Sequence, residues 1–122
     1  MRVLEGEQVL MRIFIGEADR HGRTPLYQAL VELLRREEVA GCTVLRGTMG
    51  YGAKSRLHTS SILRLSQDLP VVVEVVDSQE KIDAILPRLD EMVEEGLITM
   101  EKVRVVRYAP RDRSAGDDPP AR

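Results

Sequence analysis

The chain has 122 residues, 43 % of them apolar, and a formal net charge of −2, enough for one cored domain and too little for a second. Without a basic excess it does not read as a general nucleic-acid binder, and no apolar run approaches the length of a membrane span. The polar start, Met1 to Gln8, does not read as a secretory signal, and the lone cysteine, Cys42, cannot form an internal disulfide. A cytoplasmic, reducing setting is therefore expected, with Cys42 as a small buried residue at a strand start.

Gln8 to Ile15 is the first predicted strand, and Gly16 to Arg23 a polar loop. Thr24 and Pro25 suit the opening of a helix, since threonine caps and proline fits the first helical position. Leu26, Tyr27, Leu30, Leu33 and Leu34 recur at helical spacing, and Gly41 is the expected stop. Cys42 to Arg46 reads as a second strand. Gly47 to about Ser61 holds three glycines, three bases and few core-forming residues, and is expected to be a long loop, mobile without ligand. Leu63, Leu65 and Leu69-Pro70 lead into a β-branched strand, Val71 to Val76.

Asp77 or Ser78 should cap a second helix whose stripe is Ile82, Ile85, Leu86, Leu89, Met92 and Val93. The stripe stays in phase across Pro87, which predicts one helix with a kink and not two. Gly96 should stop it, and Val103 to Tyr108 should be the last strand. The ordered domain is expected to span 1–109, and the Pro/Asp/Arg/Gly-rich residues 110–122 to form a mobile tail.

Strand, helix, strand, strand, helix, strand is the order of a ferredoxin-like α/β sandwich, an α+β fold with an antiparallel sheet. Its helices cover one sheet face only. Period-two alternation puts Val9, Met11, Ile13 and Ile15 with Val71, Val73 and Val75 on one face. Leu10, Arg12, Phe14, Val72, Glu74 and Val76, with Arg104 and Val106, fall on the open one. That face is mostly apolar, which predicts an oligomer with Arg12, Phe14, Glu74 and Arg104 in its core and Glu74 flanked by two arginines.

Gly47-Thr-Met-Gly50-Tyr-Gly52-Ala53-Lys54-Ser55 nearly spells a phosphate-binding P-loop, but Ala53 separates the last glycine from the lysine, and no long helix is evident after Ser55. What survives is a glycine-rich backbone able to approach an anion, with Lys54, Arg56 and His58 adding charge. A solvated connection whose glycines serve turns is the plainer reading of the same residues. His21 and His58 lie far apart, no Cys/His cluster has metal-ligand spacing, and Ser60-Ser61 lacks evident triad partners.

Gly50-Tyr51-Gly52-Ala53-Lys54, followed by Asp68-Leu69-Pro70 and the run Val71 to Val76, resembles the PII signalling family. The likeness extends over Gln8 to Tyr108 and is nearest to a PII-like branch catalogued only as a domain of unknown function. It rests there on Arg46-Gly47, Gly50-Tyr51-Gly52, His58-Thr59, Ile62-Leu63-Arg64-Leu65-Ser66, Asp68-Leu69-Pro70 and Gly96-Leu97-Ile98-Thr99. The resemblance implies a homotrimer binding an adenine nucleotide or other small anion in clefts between subunits. It also implies signalling through the Gly47–Ser61 loop to a transporter or enzyme. It places Gly47, Gly50, Tyr51, Gly52, Ala53, Lys54, Arg56 and His58 at the ligand, and Lys102 where such proteins hold a phosphate-contacting lysine. Where PII proteins carry a glycine-rich phosphate loop, this chain has Glu95-Gly96-Leu97-Ile98-Thr99-Met100-Glu101-Lys102, with two glycines and an aspartate missing.

The expected function is thus a ligand-sensing regulator without catalytic turnover and with no required cofactor or metal. A small phosphate-handling enzyme using residues 47–55 is the alternative. An RNA-binding domain of the same strand order is disfavoured, because Phe14 and Tyr108 alone offer almost no stacking platform.

Overall fold

Alternation in the first strand organises the layer above it. The computed structural model describes residues 4–52 and 68–110. In β1 (Gly6–Gly16), Val9, Met11, Ile13 and Ile15 are buried while Leu10, Arg12 and Phe14 are half-buried on the other face. The segment expected to be loop then folds back on itself. β2 (Arg20–His21) pairs with β3 (Thr24–Pro25) around Gly22, which turns the backbone at φ +64°. Thr24 is consequently a strand residue and not a cap. α1 (Leu26–Arg36) starts after Pro25 with no side-chain cap, and the Leu26 amide donates to the Asp19 carbonyl at 2.8 Å. The helix also ends earlier than Gly41. Glu38 adopts φ +58° and the Val39 amide closes on Leu34 O at 3.1 Å, so a non-glycine residue takes the left-handed position.

β4 (Thr43–Arg46) is followed by β5 (Pro70–Asp77), α2 (Gln79–Met92) and β6 (Leu97–Val105). Ser78 caps α2 by accepting from the Lys81 amide at 3.1 Å, and Pro87 lies within a single continuous helix. The sheet order is β4-β5-β1-β6, all neighbours antiparallel, with the first strand between β5 and β6 as a ferredoxin-like fold requires. The last strand differs from expectation. Pairing with β1 begins at Leu97, opposite Phe14, and stops at Val105. Leu97-Ile98-Thr99 is apolar or β-branched and meets Phe14 to Arg12 directly, so cross-strand packing extends the strand back towards Gly96. A Cβ on Gly96 would stand 2.7 Å from the Phe14 carbonyl oxygen, so this glycine answers to close approach.

The core lies between one sheet face and both helices. Leu30, Leu33 and Leu34 of α1 and Ile82, Ile85 and Leu89 of α2 pack with Met11, Ile13 and Val73. Each such side chain contributes about 1.5–3 kcal/mol of burial. Asp77 is the one fully buried charged residue among the described ones, accepting from the Ala40 amide at 2.9 Å and the Ser78 amide at 2.7 Å. It ties the stretch after α1 to the start of α2. Asp77→Ala strands both amides at ~1–3 kcal/mol each, so thermal unfolding should occur several degrees lower. Unchanged melting would show that neither bond contributes.

Candidate functional site

The glycine-rich segment springs from an edge of the sheet, and proline packing accounts for much of its composition. Arg46 ends β4 opposite Val71, and the Gly47 amide donates to Pro70 O at 2.7 Å. A Cβ on Gly47 would meet Pro70 Cγ at 2.7 Å, and one on Gly50 the same atom at 3.0 Å, whereas one on Gly52 would meet nothing within 4 Å among the described residues. Gly47 and Gly50 thus serve the approach to Pro70. Met49 and Tyr51 are each 72 % exposed. Ala53, Lys54, Arg56 and His58 lie outside the described residues, as do Leu63, Leu65 and 111–122.

Both arms of this segment meet one turn after β1. Glu17 pairs with Arg46 at 2.5 Å through its carboxylate, and its amide donates to Leu69 O at 2.8 Å. The Ala18 amide donates to Asp68 Oδ1 at 2.9 Å, and the Gly16 amide to Asp19 Oδ2 at 2.9 Å. From the sequence Glu17 carries no assigned role, and Asp68 appears only as part of the Asp68-Leu69-Pro70 motif. The available signal was an acidic Gly-Glu-Ala-Asp turn, with a carboxylate ahead of Leu69-Pro70.

Lys102 is not part of this arrangement within one chain. It pairs with Val9 in the strand register, whereas the segment leaves the sheet beyond Ile15, about 20 Å further along β1 at the usual rise. Of the residues that stand where PII proteins carry their phosphate loop, Leu97 to Lys102 are strand. Lys102 is exposed, 3.8 Å from Glu7. Arg104 pairs with Glu7 in the register and shares the parity of Val9 and Met11, so it is on the helix-side face of the sheet and not beside Glu74. The register that sets Leu97 opposite Phe14 fixes this phase, and the open-face residues of β6 are Leu97, Thr99, Glu101, Val103 and Val105.

The register writes two rows across the open face. Leu45, Val72, Phe14 and Leu97 form an apolar row spanning all four main strands, with Leu45 48 % and Leu97 57 % exposed. Thr43, Glu74, Arg12 and Thr99 form the next. Arg12 Nε donates to Glu74 Oε2 at 2.7 Å, and Nη1 reaches Glu101 Oε1 at 3.4 Å. One guanidinium therefore serves two carboxylates, the reverse of a glutamate between two arginines. The hydrogen bond to Glu74 raises the Arg12 pKa further, so this residue is charged at all ordinary pH. Glu101, unassigned from sequence, is the group that takes the place expected for Arg104.

At the opposite end of the same face is an open cleft of about 350 Å³, lined by Leu4, Leu10, Cys42, Glu74, Val105 and Tyr108 among others. Tyr108 donates to Ala40 O at 3.3 Å. Cys42 is exposed, not buried, because it lies just before the edge strand β4. Partial desolvation at the cleft nevertheless pushes its thiol pKa up. The reactive thiolate accordingly forms only at higher pH, and alkylation by iodoacetamide should show its midpoint above that of a free cysteine peptide. A midpoint at or below the peptide's would contradict this. Among the described residues, no group of three or more His, Cys, Asp or Glu could hold a metal ion, and no helix is long and apolar enough to cross a membrane.

Comparison with known proteins agrees with this architecture. The model of the DUF190 family, described as "Uncharacterized ACR", matches residues 8–105. A UPF0166 protein of Methanocaldococcus jannaschii is 34 % identical over 99 residues, covering 80 % of this chain and 91 % of its own. One from Aquifex aeolicus is 36 % identical over 106 residues, covering 87 % and 98 %. CPII from Thiomonas intermedia K12, solved bound to ADP, AMP and acetate, is similar with a TM-score of 0.62 at 16 % identity, covering 86 % of this chain and 94 % of that one. A candidate PII-like signalling protein from Thermus thermophilus gives a TM-score of 0.57 at 21 % identity, covering 85 % and 94 %. The likeness to these solved structures establishes a PII-like ferredoxin fold.

Proposed function

This chain belongs to the DUF190 family, and from that footing we propose that it is a PII-like regulatory protein: a cytoplasmic homotrimer that binds an adenine nucleotide without turnover and signals through the segment Gly47 to Ser61. The observation that carries the reading is the uncovered sheet face, whose apolar row of Leu45, Val72, Phe14 and Leu97 ends at the strand from which the glycine-rich segment springs. Apolar surface of this kind is stabilised by burial against another subunit, and Arg12, Phe14 and Glu74 go into that interface. The segment is then held near a subunit boundary, where a transporter or enzyme can read it.

The ligand class comes from CPII, which is bound to ADP and AMP. Here Gly47, Gly50, Tyr51, Gly52, Ala53, Lys54, Arg56 and His58 form the ligand side. Within one chain Lys102 lies at the other end of β1 from the base of the segment, so in this reading it joins the ligand side from a neighbouring subunit. Glu101 is held by Arg12 and so is drawn away from a phosphate.

Titration calorimetry with ADP should show saturable binding and leave the nucleotide chemically unchanged. Lys54→Ala should weaken that binding by ~1–3 kcal/mol if its charge-assisted bond is direct. Hydrolysis of ADP would favour the enzyme reading, and no binding of any adenine nucleotide would sink the ligand.

Sedimentation at micromolar concentration should give a trimer, and a stable monomer would overturn the interface. Arg12→Ala leaves two unpaired carboxylates facing a covered surface, whereas Glu74→Ala leaves Arg12 with Glu101. Assembly should therefore weaken more in Arg12→Ala than in Glu74→Ala, and the opposite order would refute the pairing scheme.

A further inference from the structure

We infer that Glu17 and Asp68 are positioning residues that clip both arms of the glycine-rich segment, at Arg46 and at Asp68-Leu69, to the turn after β1, so that a shift of either arm reaches α1. The inference rests on the reading above only in taking that segment as the ligand side. Glu17 grips the two arms by different atoms: its carboxylate holds Arg46 on the outgoing arm, and its amide holds the Leu69 carbonyl on the returning one. Asp68 adds a second grip on the returning arm through the Ala18 amide. The arms are also tied to each other where the Gly47 amide meets Pro70 O.

The turn is shaped to receive Asp68. A Cβ on Gly16 would stand 2.7 Å from Asp68 Oδ1 and 3.1 Å from Oδ2, so glycine at 16 is what allows the carboxylate this close. Asp19 closes the turn on itself by accepting from the Gly16 amide, and its own carbonyl accepts from Leu26, the first residue of α1. No side chain caps that helix. The start of α1 therefore depends on the turn that anchors the segment. A shift of either arm is passed through two or three direct bonds to a helix packed on the core.

Amide hydrogen exchange on the ligand-free full chain tests the clip. Asp68→Ala should speed exchange at Ala18 roughly tenfold, and Glu17→Ala should do so at Gly47, with Leu26 faster in both and Ile13 and Val73 at parent rates. The reversed pair Glu17→Arg with Arg46→Glu should restore slow exchange at Gly47. Parent-like rates at Ala18, Gly47 and Leu26, or rates that rise only in step with Ile13, overturn the proposal, as does failure of the reversed pair to rescue Gly47. With ADP as probe, both single variants should bind about tenfold more weakly. If ADP does not bind the parent chain, the ligand reading fails while the ligand-free exchange rates still decide the clip.

Discussion

The double register of β1 is the constraint on which the rest of the structure depends. Because β1 lies between β5 and β6, its pairing with each decides at once which side chains of all three strands share a face. Period-two alternation leaves no intermediate solution, and a slip of one residue would exchange the buried set for the half-buried one. Val9, Met11, Ile13 and Ile15 gain enough from burial under α1 and α2 to hold that choice. The composition of the opposite face is then a consequence, not an independent feature.

That face is unusual in placing a charged row next to an apolar one. An exposed arginine–glutamate pair ordinarily contributes little, because water screens it and long side chains lose freedom. Here Arg12 and Glu74 are cross-strand neighbours already held by the backbone, so less freedom is lost on pairing, and Glu101 approaches the same guanidinium diagonally from β6. The excess carboxylate makes the row a selective surface. Anything that covered this face would have to accommodate a net negative group beside an apolar strip, which disfavours arbitrary apolar partners.

The base of the glycine-rich segment separates two roles that composition alone merges. Gly47 and Gly50 are explained by the ring of Pro70, and Gly16 by the carboxylate of Asp68. These glycines let neighbouring groups close tightly, which fixes the base. Gly52 has no such neighbour among the described residues.

Much of this was legible in the chain itself. Alternation in Val9 to Ile15 and Val71 to Val76, helical spacing in Leu26 to Leu34 and Ile82 to Leu89, and the order of elements determined the fold, because these are local periodicities enforced by burial. The PII-like affinity was legible in Gly50-Tyr51-Gly52 and Asp68-Leu69-Pro70. Tertiary structure alone decided the phase of β6, and with it the exchange of Arg104 for Glu101 on the open face. The start of an edge strand is set by what lies opposite, and Phe14 draws in Leu97 from residues that read as a loop. It decided likewise the place of Lys102, the exposure of Cys42 and the grip of Glu17 and Asp68 on the segment's two arms. These are contacts between residues far apart in the chain, and no local pattern encodes the distance at which such groups meet.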